Sequence, residues 1–222
     1  MNPDGAGVTV LACGALAREL VALRRLNGWA GMRITCLPAK LHQTPERIAG
    51  AVREKITQLQ AQSGDDILVA YGDCGTAGAL DRVLAETGAS RLPGAHCYEF
   101  YAGAARFAEL QDAEPGTFYL TDFLVTHFDA YVWRALGLDR HPDIRDMVFC
   151  HYRRLVYLAQ TSDAALDSKA VDCAKRLGLA YQRIDAGYGE MAGELHRKVA
   201  SFQPMATSSP AQRVSASWPP SP

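Results

Sequence analysis

Residues 66–71 read DILVAY, five apolar or aromatic residues in succession that break off at Gly72-Asp73-Cys74-Gly75-Thr76. So short and unbroken an apolar run suits a strand buried on both faces, and such strands belong to parallel sheets covered by helices. The pattern recurs. Residues 8–12, 33–37, 117–120, 155–159 and 180–184 are further strand candidates, with a shorter segment over 90–97. Helical periodicity fills the intervals. Leu16, Leu20 and Leu23 share one face over 15–24, and Ile48, Val52 and Ile56 recur every four residues over 45–60. Further helices are expected from Thr76 to about Glu86, over 98–110, from Thr121-Asp122 to Gly137, over 163–177 up to Gly178, and over 191–202.

This alternation predicts the α/β class: a Rossmann-like three-layer domain with a mostly parallel sheet and helices on both faces. Residues 7–203 are expected to form a single domain, with two pseudo-halves as a variant of that plan. The flanks, a flexible 1–6 segment and a Pro-, Ser- and Ala-rich tail over 204–222, are expected to stay disordered.

Charge narrows the partners. With 23 basic against 24 acidic residues the net charge is −1, and no basic run interrupts the 222 residues. A general nucleic-acid binder needs a clustered positive surplus, so that class is set aside. No apolar stretch approaches the roughly 20 residues of a membrane-spanning helix. Residues 1–5 carry neither the basic nor the apolar part of an export signal, so a soluble, cytoplasmic protein is expected. Six cysteines, at 13, 36, 74, 97, 150 and 173, are then expected to be reduced. The partner in view is a small-molecule substrate, and composition says nothing of the oligomeric state.

In open parallel sheets, ligands bind outside the carboxyl ends of the strands. The reactive residues gather there. Cys13 ends the first strand, His42 follows the second, and Asp73 and Cys74 follow the third. His96, Cys97 and Glu99 follow the fourth segment, and Thr121 and Asp122 the fifth. Cys36 and Cys173 read as packing thiols. Cys74 sits between glycines at a predicted helix N-terminus, where backbone N–H groups and the helix dipole lower a thiol's pKa.

Gly72, Gly75 and Gly78 match neither the dinucleotide fingerprint nor the P-loop. They are read either as a tight strand-to-helix turn or, with Thr76, as a backbone cradle for an anion or carboxylate. Asp122 reads as a helix cap that can also orient a metal-bound histidine. Cys13, Cys74 and Cys97, with His42 or His96, supply the ligand count of a zinc site or of a three-cysteine iron–sulfur site. No C-x-x-C occurs. The plain alternative is three separate small residues in tight turns.

The blocks Ala12-Cys13-Gly14-Ala15-Leu16, YGDCGT (71–76), GAHCYEFY (94–101) and GTFYLTDFL (116–124) resemble the signature of a bacterial and archaeal family designated domain of unknown function 1638. The similarity extends through YLAQT (157–161) and Gly187-Tyr188-Gly189. Cys150 stands where relatives carry a Gly-Asn pair. Members resemble neighbours of corrinoid-dependent methyltransferase and methylamine-utilisation systems, which implies one-carbon or small-amine metabolism.

The expectation is therefore a metal-dependent enzyme, with Cys13, Cys74, Cys97 and His42 as ligands and zinc as the metal. Glu99, His96 and Asp73 would move protons. Gly72, Gly75, Thr76, Tyr98, Tyr101 and Asp122 would hold the ligand. Two alternatives stay open: an iron–sulfur or corrinoid-associated accessory protein working with a corrinoid protein or methyltransferase, and a metal-free enzyme with Cys74 as nucleophile and His96 as base.

Overall fold

A computed structural model describes residues 7–200. The expectations for 1–6, for 204–222 and for the end of the last predicted helix lie outside the described residues.

The elements follow in order β1 (Val8–Cys13), α1 (Ala17–Leu26), β2 (Met32–Leu37), α2 (Ile48–Gln62), β3 (Asp66–Ala70), α3 (Ala79–Thr87), β4 (Ser90–Arg91), α4 (Cys97–Ala102) and α5 (Ala104–Ala113). Then come β5 (Thr117–Thr121), α6 (Asp122–Thr126), α7 (Arg145–Val148), β6 (Arg154–Ala159), α8 (Ala164–Leu177), β7 (Ala180–Asp185) and α9 (Gly189–Ala200).

The fold is α/β and Rossmann-like, but the strands form two parallel sheets rather than one. Their orders are β2-β1-β3-β4 and β5-β6-β7. β1 lies at the centre of the first, with Val10 beside both Ile34 and Leu68. All six of its residues are buried, as a strand covered on both faces requires.

Side chains alternate across a strand, and β6 uses both of its faces. Val156 and Leu158 join the core built on the first sheet, whereas Leu155, Tyr157 and Ala159 join the second core against α8. Helix α9 leaves the second sheet and returns to the first core through Met191, Leu195 and Val199, spaced at helical turns. There it packs on α4. No helix among the described residues is long and apolar enough to cross a membrane.

Two expected helices are interrupted. The stretch over 98–110 breaks at Gly103, whose φ of +81° ends α4. A Cβ there would lie 3.0 Å from Glu190 Oε1, so the break lets α9 approach. The helix expected to reach Gly137 stops at Thr126, and a wider π-helical turn covers Asp129–Trp133.

A buried acid lies at the seam between α1 and the second sheet. Glu19 is 3% exposed, and its Oε2 has no hydrogen-bond partner. Burial raises its pKa above the ordinary carboxylate value, against the hydrogen bond from Tyr101 and the nearby Arg18 and with the help of Asp122. A carboxyl whose folded pKa lies above its unfolded one favours folding at pH below the unfolded value of about 4.3. That contribution is lost as pH rises through the folded pKa. Glu19→Gln is therefore expected to stabilise the protein by roughly 1–2 kcal/mol at pH 8 and to leave stability near pH 4 little changed. Urea unfolding at the two pH values checks this, and an equal change at both would refute the assignment.

Candidate functional site

Segments that follow β1, β2 and β4 of the first sheet meet the end of β5 of the second at one cleft. β1 delivers Cys13, β3 runs into Tyr71 and Cys74, and the segment after β4 leads into Cys97 at the start of α4. The facing wall comes from Thr121 at the end of β5 and from Phe123 and Leu124 of α6. Between the walls lies a cavity of about 150 Å³ that reaches Cys97, Tyr98 and His42.

Gly72 allows this assembly. A Cβ at that position would lie 2.9 Å from both Ala95 O and His96 N. With none there, the two loops join through Asp73 N–H to Gly94 O (3.2 Å) and Cys74 N–H to Ala95 O (2.8 Å). Cys74 itself sits at φ +51°, a left-handed conformation that a cysteine adopts only at a cost.

Electrostatics link the thiols in one direction: Cys13 acts on Cys74, and both act on Cys97. Desolvation raises the pKa of Cys97 most, and Cys74 and Cys13 then raise it further. Burial pushes Cys74 up to about 11, with Cys13 adding to the shift. Cys13 is likewise raised by burial. Against these effects, each sulfur faces backbone N–H donors: Ala15 at Cys13, Gly72 and Cys97 at Cys74, and Cys97 with Tyr98 at Cys97. The Tyr71 ring is fully buried, and its hydroxyl, with no oxygen or nitrogen partner, faces the Cys13 thiol.

The lowered pKa expected of Cys74 is thus corrected. Helix α3 begins only at Ala79, so no helix terminus lies at this thiol, and desolvation outweighs the donors. Among the described residues, no group of three or more His, Cys, Asp and Glu side chains stands arranged to hold a metal ion. His42 keeps one side open to solvent, yet crowding by the surrounding chain, then His96, lowers its pKa, so it is neutral at pH 7.

Other expected site residues have structural duties. Asp73 accepts from Thr76 Oγ1 (2.7 Å), Gly78 N (2.9 Å) and Ala77 N (3.2 Å), which holds its pKa low. The glycine run with Gly75 and Thr76 is therefore a turn whose donors are taken by its own aspartate, not an anion cradle. Glu99 caps the entry to α4 by accepting from Ala95 N (2.9 Å). It lines a separate hollow with Glu190 and Met191, because residues two apart on a helix point to opposite sides. His96 is exposed beside Tyr98, with ring centroids 6.2 Å apart. Tyr101 is buried against Glu19 rather than lining the cavity.

Asp122, fully buried, orients no histidine. Its carboxylate accepts from Tyr157 Oη (2.7 Å), Gln160 N (3.0 Å) and Thr161 Oγ1 (2.6 Å), tying α6 to the end of β6. Cys173 is a packing thiol as expected, whereas Cys36, on edge strand β2, is exposed. Sequence reasoning missed Glu19 and Tyr71. An acid among the apolar positions of α1 and a tyrosine closing an apolar strand were the available signals.

The fold and this cleft define a Rossmann-like α/β protein with buried thiols at the carboxyl ends of its strands. The chain belongs to the family described as protein of unknown function (DUF1638), whose model matches residues 36–194. Cys74 and Cys97 fall within that span, and Cys13 precedes it. No curated protein and no solved structure matches the chain.

Proposed function

We propose that the protein is an enzyme acting on a small molecule at this cleft, with Cys13, Cys74 and Cys97 as thiolate ligands to a metal, zinc by preference. One observation supports the reading: Cys13 is buried at the end of β1, Cys74 is buried after β3 and Cys97 is half-buried at the start of α4, each set against backbone N–H donors. Donors aimed at sulfur serve a neutral thiol little, and they stabilise a thiolate that holds a metal. The Tyr71 hydroxyl supports the same reading, because it adds a side-chain donor at Cys13 that favours the thiolate.

As they stand, the thiols are protonated at neutral pH, which works against a metal-free nucleophile at Cys74. A bound divalent metal would remove those protons and supply Lewis acidity or an electron-rich thiolate centre. In this proposal Cys13, Cys74 and Cys97 bind, and their backbone donors hold the sulfurs in place. His42, neutral at the rim, completes the ligand set or takes a proton from substrate. Methyl-group or small-amine chemistry stays a proposal that the family resemblance alone suggests, as do a corrinoid protein or methyltransferase as partner and a cytoplasmic location.

The test is elemental analysis with a visible spectrum, on protein purified without oxygen and without added metal. About one zinc per chain with no colour is expected, falling by more than about tenfold in Cys74→Ser and Cys97→Ser. Iron with sulfide and a brown band would replace zinc with a cluster, and corrinoid absorption would make the protein an accessory. Full metal content in both variants, or no metal at all in the parent, would overturn the ligand set.

A further inference from the structure

The cavity beside Cys97 has a chemical character of its own. Four aromatic rings, from Tyr98, Phe118, Phe123 and Tyr131, line it together with Leu124 and Val132. No aspartate, glutamate, lysine or arginine is among its lining residues. The polar groups are the Cys97 thiol, the hydroxyls of Tyr98 and Tyr131, the side chains of His42 and Gln43, both solvent-exposed, and Thr121, whose Oγ1 already accepts from Leu124 N (3.4 Å).

Three physical points follow. A charged ligand would shed its hydration here and meet no counter-charge, a strongly unfavourable exchange. Aromatic faces do attract cations, but no carboxylate lines the cavity to supply the counter-charge. The volume of about 150 Å³ equals that of the apolar cavity known to hold one benzene ring, so the occupant is a single ring or its equivalent.

We propose that this cavity binds a small uncharged molecule, with a ring or a comparable apolar body inside and one hydrogen-bonding group at the mouth, facing His42 and Gln43. The ligand would then present its inner end at Cys97. The proposal deepens the reading of the cleft as a substrate site and rests on it for the ligand's role, but needs no metal for binding.

Fluorine NMR titration of the full chain tests it with three matched probes: 4-fluorophenol, 4-fluorobenzoate and 4-fluorobenzylamine, at pH 7. The neutral phenol is expected to bind at least about tenfold more tightly than either ion. Leu124→Trp, which fills the cavity from a half-buried position, is expected to abolish that binding while metal content stays as in the parent. Phe123→Ala, which removes one wall, is expected to weaken it. Benzylamine or benzoate binding as well as the phenol would overturn the ligand class. No phenol binding at millimolar concentration, or phenol binding unchanged in both variants, would overturn the site. Phenol binding by a parent chain that carries no metal would instead sink the metal reading and leave this one standing.

Discussion

Asp122→Ala is expected to destabilise the protein by roughly 3–5 kcal/mol, a large share of the 5–15 kcal/mol typical of a folded domain. Truncation leaves the Tyr157 hydroxyl, the Gln160 N–H and the Thr161 hydroxyl without the acceptor they share. Asp122 N–H donates in return to Gln160 Oε1 (2.7 Å), so the strand ends of β5 and β6 lose a reciprocal clasp. Tyr157 is buried in the second core, where water cannot replace the lost partner without opening the packing. Denaturant unfolding checks this. Asp122→Asn should cost less, since one acceptor oxygen remains. A loss below about 1 kcal/mol for Asp122→Ala would mean that the carboxylate does not organise these groups.

Gly189→Ala is the second large effect. Its φ is +50°, and a Cβ there would lie 2.3 Å from the carbonyl oxygens of both Phe100 and Tyr101. Neither neighbour is a flexible side chain that can swing away, since both are backbone of α4. Left-handed strain and overpacking together predict a loss of roughly 2–5 kcal/mol. The damage should reach function as well. Helix α4 carries Cys97 and Tyr98, so a shift of α4 against α9 displaces both from the cleft. Thermal unfolding together with metal content checks the two consequences. A variant with the parent's midpoint would show that α9 does not press on α4 through this glycine.

Much of this architecture was legible in the chain. The apolar run over 66–71 and its counterparts placed each of the principal strands to within a residue or so, because strand burial on both faces writes an unbroken apolar stretch. Gly178 ended α8 as expected, at φ +74°, since a left-handed helix stop favours glycine and needs no distant partner. That Cys13 and Cys74 follow the carboxyl ends of β1 and β3 was legible for a topological reason: parallel strands all deliver their carboxyl ends to one edge.

Other features were not legible. Asp73 and Asp122 look alike in sequence, each an acid directly after a strand. One is consumed by its own turn within five residues, and the other by groups 35 to 39 residues away. Glu99 fell on the wrong side of α4 because the helix start at Cys97 could not be placed by periodicity alone.

What the sequence by itself determined is the α/β class, the strand ends and the family. Each of these rests on periodicity and on residue types at short spacing, which the chain carries locally. What only the tertiary structure decided is the division into two sheets, the protonation of the thiols, and which acids are free. Those depend on desolvation and on partners brought together across the cleft, and burial at Cys74 overrides the local donors that alone would have made it a thiolate.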